Sequence, residues 1–239
     1  MAIKEQVVEY KDGSVTCKGF LAYDDSRPGP LPGVLISHAW GGRQEPFEQK
    51  ARDLARLGYA GFAIDVYGEG KTATAPPECS ALMQPFVTDR PMLLRRLNAA
   101  LTAASAQPQI DARRIAAMGY CFGGLCVLDL ARSGANIRGV VSLHGALKPP
   151  PGPAPSKITA KVLVLHGHDD PMVPVEDVVA LEKELTAAGA DWQVHAYGRT
   201  QHAFSDPRAN IPSMGLQYSA DADRRSWTSL LNFFEEVLR

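Results

Sequence analysis

Polar and apolar positions alternate at the start of the chain and then give way to continuous apolar runs. Residues 7–10 and 16–22 alternate in polarity around Asp12-Gly13, which predicts an antiparallel hairpin. Residues 33–37 form an apolar run that ends in Ser37, as is typical of a central strand covered on both faces. Residues 60–66 predict a second buried strand. The chain therefore starts with a hairpin and continues into a buried sheet.

Apolar residues at helical spacing occur on either side of the second buried strand. Residues 45–57 predict a helix that Gly58 ends, and residues 90–106 predict a helix that ends before Pro108. The first helix is expected to bury one face: Phe47, Ala51, Leu54 and Leu57. Residues 68–88 fit no long element, because three prolines interrupt them.

Strands and helices also alternate in the second half. Strands are predicted over residues 114–118, 139–143, 161–165 and 192–197, and helices over residues 122–131, 175–188 and 221–238. The middle helix is expected to turn four residues inward: Val178, Val179, Leu181 and Leu185. The Pro-rich residues 148–155 predict a surface loop. This alternation predicts an α/β fold with a mostly parallel central sheet and helices on both faces, in a single domain of residues 1–239.

Composition and charge exclude several classes of function. A formal net charge of −1 gives no basic surface for nucleic acid or an anionic membrane, so we expect neither as a partner. Residues 1–15 lack the apolar core of a signal peptide, and no uncharged run is long enough to cross a bilayer. The four cysteines form no C-x-x-C pair, so we expect reduced thiols in a cytoplasmic protein.

A strand–turn–helix junction carries the first candidate catalytic residue. The sequence Gly119-Tyr120-Cys121-Phe122-Gly123 has the context of a nucleophile elbow, with cysteine in place of serine. Glycines suit the tight turn, and the N-terminus of the following helix favours a thiolate. The same pattern also fits a buried cysteine on a Gly-rich connection. The choice between them depends on a base and an acid elsewhere in the chain.

Two later stretches supply an acid and a base in the order of the α/β-hydrolases, which is nucleophile, acid, histidine. Residues 166–174 follow a strand and contain Asp169 and Asp170, which compete for the role of the acid. His202 follows the last strand and is the candidate base, whereas His195 falls within that strand. Both stretches follow the carboxyl ends of strands, where open α/β sheets place their sites.

The cluster His166-x-His168-Asp169-Asp170 also has the residue types of a zinc site. Its spacing coincides with the turn that already supplies the acid, so we expect no metal there. A tetrahedral intermediate would in addition need N–H donors for its oxyanion. One is expected from Phe122, the residue after the nucleophile, and the other from the Gly-rich loop of residues 38–42.

Three motifs together resemble the dienelactone hydrolase family: the elbow Gly-Tyr-Cys-Phe-Gly-Gly, the segment His-Gly-x-x-Asp-Pro-x-Val-Pro and the segment Gln-His-Ala-Phe-Ser-Asp-Pro. The similarity extends along the full chain, from the hairpin to residues 223–227. The resemblance implies an α/β-hydrolase fold, a Cys–His–Asp triad, no cofactor, and hydrolysis of enol-lactones or related esters. It assigns the triad to Cys121, Asp170 and His202, and the oxyanion N–H groups to Trp40 and Phe122.

Two positions depart from the family pattern. Family members carry His-Glu where this chain has His38-Ala39, and in the type enzyme that glutamate helps to form the thiolate. The type enzyme also binds its substrate carboxylate through an arginine four residues after the catalytic histidine, where this chain has Asp206. The mechanism is therefore expected, but dienelactone itself as the substrate does not follow.

Two other functions could use the same residues. Without the family glutamate, the scaffold could bind a small ligand without turnover, although a complete triad argues against this. A redox sensor would need a disulfide between Cys121 and Cys126, but their spacing at the start of a helix does not bring them face to face. We therefore predict a hydrolase of small-molecule esters or lactones. The sequence does not define its acyl group or its oligomeric state.

Overall fold

The computed structural model describes residues 2–155 and 157–239. These residues form two compact units that divide between Met118 and Gly119. The organisation as a single domain stays a prediction. In the described part of the chain, no helix combines the length and the apolar character needed to cross a bilayer.

The first unit begins with the predicted hairpin and continues as a sheet. β1 (Ile3–Asp12) pairs antiparallel with β2 (Val15–Asp24), and β2 pairs antiparallel with β4 (Ala60–Ala63). β3 (Leu31–Ser37) runs parallel to β4, so the strand order is β1-β2-β4-β3. α1 (Glu45–Arg56) connects β3 to β4, and α2 (Pro76–Thr88) and α3 (Arg90–Ser105) follow β4.

The second unit repeats the alternation of strands and helices. β5 (Ile110–Tyr120) crosses the division and leads into α4 (Phe122–Arg132). The remaining larger elements are β6 (Gly139–Leu143), β7 (Lys161–Gly167), α5 (Val175–Ala187), β8 (Trp192–Tyr197) and α6 (Ala220–Val237). Between β8 and α6, the short strands β9 (Asn210–Ile211) and β10 (Leu216–Gln217) pair antiparallel on either side of a 3-10 helix (Pro212–Met214). β7 runs parallel to β6 on one side and to β8 on the other. The predicted α/β class, with a mostly parallel sheet and an antiparallel N-terminal hairpin, is confirmed.

The register of the second unit brings three strand ends to one edge. Leu143, the last residue of β6, is opposite Leu165 of β7, and Gly167 of β7 is opposite Tyr197 of β8. The loops that follow these strands therefore emerge side by side, as the carboxyl ends of parallel strands do. The largest fully buried side chains of this unit are Leu128, Phe204 and Phe234.

Several local predictions were wrong. Residues 76–88 form a helix despite three prolines, because two of them occupy its first turn, where a backbone N–H has no partner, and Pro85 lies near its end. Leu57 is 48% exposed, because it is the C-cap beyond the last turn of α1. Val179 is 40% exposed, because α5 buries only one stripe, which includes the neighbouring Val178. β4 ends at Ala63, three residues before the predicted end.

Candidate active site

Cys121 occupies the turn between β5 and α4 in a strained backbone conformation. Its φ of 54° lies in a region that L-residues rarely adopt, and such outliers cluster at functional sites. The turn closes because Gly119 has no side chain: a Cβ there would overlap the carbonyl oxygen of Gly123. The N–H of Cys121 donates to the carbonyl of Leu143 at the end of β6 (3.0 Å). The elbow predicted from the sequence is therefore present.

His202 and Asp170 are buried together in the loops after β7 and β8. Nδ1 of His202 lies 2.7 Å from Oδ2 of Asp170, and the two residues are 4% and 3% exposed. The other carboxylate oxygen of Asp170 accepts the N–H of Met172 (2.8 Å). Asp169, the competing acid, is exposed. Of the two aspartates, the structure brings Asp170 into contact with the histidine.

Cys121 and His202 shift each other's pKa values. Burial raises the pKa of the Cys121 thiol, but its interaction with His202 outweighs burial and holds this pKa below its ordinary value of 9.0. Burial lowers the pKa of His202, but its interactions with Cys121 and with the Asp170 carboxylate raise it to about 10. Nε2 of His202 is buried and has no hydrogen-bond partner among the described residues. The two shifts favour transfer of the thiol proton to the imidazole.

The backbone of α4 also stabilises the thiolate. The N–H of Phe122, the first residue of the helix, hydrogen-bonds the sulfur of Cys121 and lowers its pKa further. This N–H is the one that the sequence predicts as an oxyanion donor. A helix N-terminus favours negative charge for the same reason, since its first N–H groups have no partner within the helix.

Trp40 lies in the first unit, in the loop after β3, and its carbonyl accepts a hydrogen bond from the hydroxyl of Tyr67 (2.7 Å). His38 begins this loop and is completely buried. Its Nε2 accepts the N–H of Val66 (3.3 Å), and its Nδ1 lies 2.7 Å from the carbonyl oxygen of Ala39. Burial lowers the pKa of His38 to about 4. A neutral histidine and a tyrosine therefore hold the loop from within the first unit.

Comparison with known proteins identifies the family. Residues 17–238 match the dienelactone hydrolase family. The chain belongs to that family. An uncharacterised protein of Caenorhabditis elegans is 39% identical over 145 residues, which cover 59% of this chain and 92% of that protein. A Yersinia pestis protein, whose name proposes a carboxymethylenebutenolidase, is 27% identical over 229 residues, which cover 91% of this chain and 82% of that protein.

Solved structures show the same fold. A dienelactone hydrolase-like promiscuous phosphotriesterase from metagenomic libraries superimposes with a TM-score of 0.94 at 39% identity, over 100% of both chains. A Klebsiella pneumoniae structure, named as a proposed dienelactone hydrolase, superimposes with a TM-score of 0.83 at 24% identity, over 98% of this chain and 99% of that chain. These likenesses confirm the predicted α/β-hydrolase fold. The chain is a dienelactone hydrolase-like hydrolase.

The structure shows which groups surround the two positions that depart from the dienelactone hydrolase pattern. Ala39 offers no carboxylate, but the pKa of Cys121 is already lowered by His202 and by the Phe122 N–H. Asp206 stands where the type enzyme has an arginine, and it binds Arg208 through both carboxylate oxygens (2.9 Å each). Arg208 is therefore engaged by Asp206.

Two buried side chains of this family member were missed by sequence reasoning. His144 follows β6, and its ring centroid lies 5.1 Å from that of His202. Ser205 follows His202 by three residues and contacts Nε2 of His144 (2.8 Å). The sequence position of His144 could have indicated it, because His144 directly follows a strand, as the other candidate residues do.

The remaining histidines have other surroundings. His195 is half-buried on β8, with Nδ1 3.2 Å from the hydroxyl of Ser229. His166 is buried, and burial lowers its pKa, whereas His168 is exposed. Over residues 2–155 and 157–239, no three His, Cys, Asp or Glu side chains are grouped so that they could hold a metal ion.

Proposed function

We propose that this protein hydrolyses small-molecule carboxylic esters or lactones, with Cys121 as nucleophile, His202 as general acid and base, and Asp170 as the group that orients the histidine. One observation carries the proposal. Asp170 contacts Nδ1 of the buried His202, and the interaction between His202 and Cys121 lowers the pKa of the thiol and raises the pKa of the imidazole. In such a pair the imidazole can take the thiol proton, which supplies the nucleophilic thiolate.

The first half-reaction forms a thioester. The Cys121 thiolate attacks the carbonyl carbon, and the electrons of the C=O bond move onto oxygen. The Phe122 N–H stabilises that oxyanion, with the Trp40 N–H proposed from the sequence as the second donor. When the intermediate collapses, the C–O bond to the alcohol breaks and His202 gives its proton to the departing alkoxide. The alcohol leaves, or stays attached to the acyl chain if the substrate is a lactone.

The second half-reaction restores the ion pair. His202 is now neutral, with Nδ1 held by Asp170, and its Nε2 takes a proton from water that attacks the thioester. The C–S bond breaks and the carboxylic acid product departs. Cys121 is again a thiolate and His202 again carries the proton, so no cofactor is consumed.

The charge around the catalytic loop favours uncharged substrates. Asp206 lies four residues after His202, and its hydrogen bonds from Arg208 lower its pKa against the raising effect of burial, so it is ionised. Asp206 engages Arg208 through both carboxylate oxygens, so this position offers a substrate carboxylate no arginine of the kind that the type enzyme uses. We therefore propose neutral esters or lactones rather than dienelactone itself.

A second activity is supported by one specific observation. The phosphotriesterase structure matches this chain at 39% identity over its whole length. Phosphotriesters are uncharged, and thiolate attack at phosphorus with loss of an aryl oxide would use the same three residues. We propose phosphotriester hydrolysis as a side activity of the ester hydrolase.

The alternative is a protein that binds a small ligand without turnover. The absence of the family glutamate at Ala39 favours it. The lowered pKa of Cys121 has other causes, so the thiolate does not depend on residue 39. This supports the enzyme over the binding protein.

The test compares wild type, Cys121→Ala and Cys126→Ala on a p-nitrophenyl ester, an enol-lactone and an aryl phosphotriester, with circular dichroism as a check of folding. Cys126 is buried one helical turn beyond Cys121 and serves as the matched control. We expect Cys121→Ala to lose at least ~1,000-fold in kcat/KM, and Cys126→Ala to retain activity. A folded Cys121→Ala protein with full activity would overturn the proposal. Ligand binding by wild type without turnover of any substrate would favour the binding protein.

A further inference from the structure

His144 is held tightly at the end of β6. It is 3% exposed and has a φ of 38°, in the left-handed region that residues other than glycine rarely adopt. Its N–H donates to the carbonyl of Leu165 on β7 (2.9 Å), and the preceding carbonyl, that of Leu143, accepts the N–H of Cys121 (3.0 Å). The backbone that carries His144 is therefore fixed directly to the nucleophile and to the neighbouring strand.

The His144 side chain contacts the catalytic loop at two points. Its ring meets the ring of His202 edge-on, with centroids 5.1 Å apart and planes at 66°. Its Nε2 lies 2.8 Å from the hydroxyl oxygen of Ser205, at hydrogen-bonding distance. The ring of Phe204 packs on it at 5.1 Å and 80°. One side chain thus holds both the imidazole of His202 and the loop that carries it.

His144 is neutral while His202 carries the proton. Burial, and secondly the charge of His202, hold the pKa of His144 well below its ordinary value. The other groups that interact with His202 are Cys121 and Asp170, which both raise its pKa. Burial, and to a lesser extent the charge of His202, also lowers the pKa of His166. The ring centroid of Tyr120 lies 6.0 Å from that of His144. A His144 whose pKa is lowered in this way does not compete with His202 for the proton.

The polarity of His144 has a cost that an apolar ring would avoid. Its Nδ1 is buried and has no hydrogen-bond partner in the described part of the chain. A buried polar atom without a partner is destabilising, and each such case in a native protein calls for an explanation. What imidazole adds over a phenyl ring at this position is the contact of Nε2 with Ser205.

We propose that His144 is a positioning residue for His202, and that its ring contact and its hydrogen bond with Ser205 together keep the His202 imidazole against Cys121. This inference rests on the proposed function, since it assigns a role around the same catalytic pair. His144 acts through the orientation of His202 and not on the substrate.

The test uses His144→Phe, which keeps a ring but loses the hydrogen bond, Ser205→Ala, which removes the other partner, and the double variant. The direct readout is the pH dependence of Cys121 alkylation by iodoacetamide, which reports the thiolate without any substrate. We expect each single variant to raise the apparent pKa of alkylation by ~0.5 unit or more and to lower kcat ~10-fold at unchanged KM. The double variant should match the single variants, because all three lack the same bond.

Two further variants separate positioning from stability. His144→Gln can still reach Ser205 and should recover part of the loss seen in His144→Phe. Leu230→Ala removes a fully buried side chain from α6 and provides a destabilised control with an unchanged alkylation profile. If His144→Phe does not fold, Ser205→Ala carries the test.

An unchanged alkylation profile in His144→Phe and Ser205→Ala would overturn the proposal, whatever their stability. That result is distinct from failure of the proposed function, which Cys121→Ala would reveal by retaining activity. The alkylation readout depends on the thiolate alone and does not require that any ester be a substrate.

Discussion

Nδ1 of His202 lies 2.7 Å from Oδ2 of Asp170, and both side chains are almost completely buried. The carboxylate accepts from Nδ1 and thereby fixes the tautomer of a neutral His202, so that Nε2 is the nitrogen available to Cys121 or to water. It also stabilises the protonated form, which raises the pKa of His202. This contact links the acid at the end of β7 to the base after β8, and four predictions concern the site that it organises.

The first prediction concerns the two neighbouring aspartates. Asp170→Asn should lower kcat by about 10³-fold, because an amide can present the wrong partner to Nδ1 and no longer stabilises an imidazolium. Asp169→Asn is the matched control. Asp169 is exposed, so this variant should keep nearly full activity. Steady-state kinetics on a p-nitrophenyl ester measure both, and equal losses in the two variants would contradict the assignment of Asp170.

The second prediction concerns pH. The lowered pKa of Cys121 means that alkylation by iodoacetamide should rise with pH at values below 9.0, the ordinary thiol value. Ester hydrolysis should follow the same acid limb, because the thiolate is lost as pH falls through the Cys121 pKa. It should fall again near pH 10, where His202 loses the proton that the leaving group needs.

The other thiols make this measurement selective. Burial raises the pKa of Cys17 to about 11 and also raises that of Cys79, so both should react slowly near neutral pH. Peptide mapping after brief alkylation should find the label on Cys121. An acid limb centred near 9 at Cys121 would contradict the ion pair.

The third prediction concerns the elbow. In Gly119→Ala the new Cβ would overlap the carbonyl oxygen of Gly123, so the turn cannot close without moving the start of α4. We expect a loss of about 3 kcal/mol or more in the free energy of unfolding. Gly198→Ala is the control, since a Cβ there meets no atom within 4 Å. Urea denaturation should separate the two variants clearly, and similar midpoints would show that the elbow is less constrained than its geometry indicates.

The fourth prediction concerns the loop that carries Trp40. Tyr67→Phe removes the hydroxyl that donates to the Trp40 carbonyl (2.7 Å) and should lower kcat/KM for esters ~10-fold by loosening a proposed oxyanion donor. Alkylation of Cys121 forms no oxyanion, so its rate should not change. Tyr23→Phe is the control within the first unit. A parallel loss of alkylation and hydrolysis in Tyr67→Phe would argue against an oxyanion role.

The sequence predicted the parts of the fold where local pattern and tertiary packing agree. Strands β6 and β8 have their predicted ends, because each is an apolar or alternating run bounded by turn residues. The prediction that residues 68–88 form no long element was wrong, because the position of a proline within a helix decides whether it breaks that helix. Leu57 and Val179 were wrongly predicted to be buried, because helical spacing alone does not define the width of a buried face.

The candidate site was predictable to the extent that its residues follow strands. The structure brings Cys121, Asp170 and His202 together as the motifs indicated, while their roles stay predictions. His144 was missed because an isolated histidine after a strand has no motif, and its contacts with His202 and Ser205 depend on how three loops meet. The source of the lowered Cys121 pKa was also beyond the sequence, since it arises from the placement of His202 and of the Phe122 N–H.

The central claim is that Cys121 becomes acylated during turnover. Acid quenching of the protein in the steady state with a p-nitrophenyl ester, followed by intact-mass measurement and peptide mapping, tests it directly. We expect a mass increase equal to one acyl group, located on Cys121, absent in Cys121→Ala and lost when the substrate is exhausted. Two results together would contradict acylation of Cys121. The ester would turn over with no adduct at Cys121 in a quench that preserves thioesters, and Cys121→Ala would hydrolyse the ester as fast as wild type.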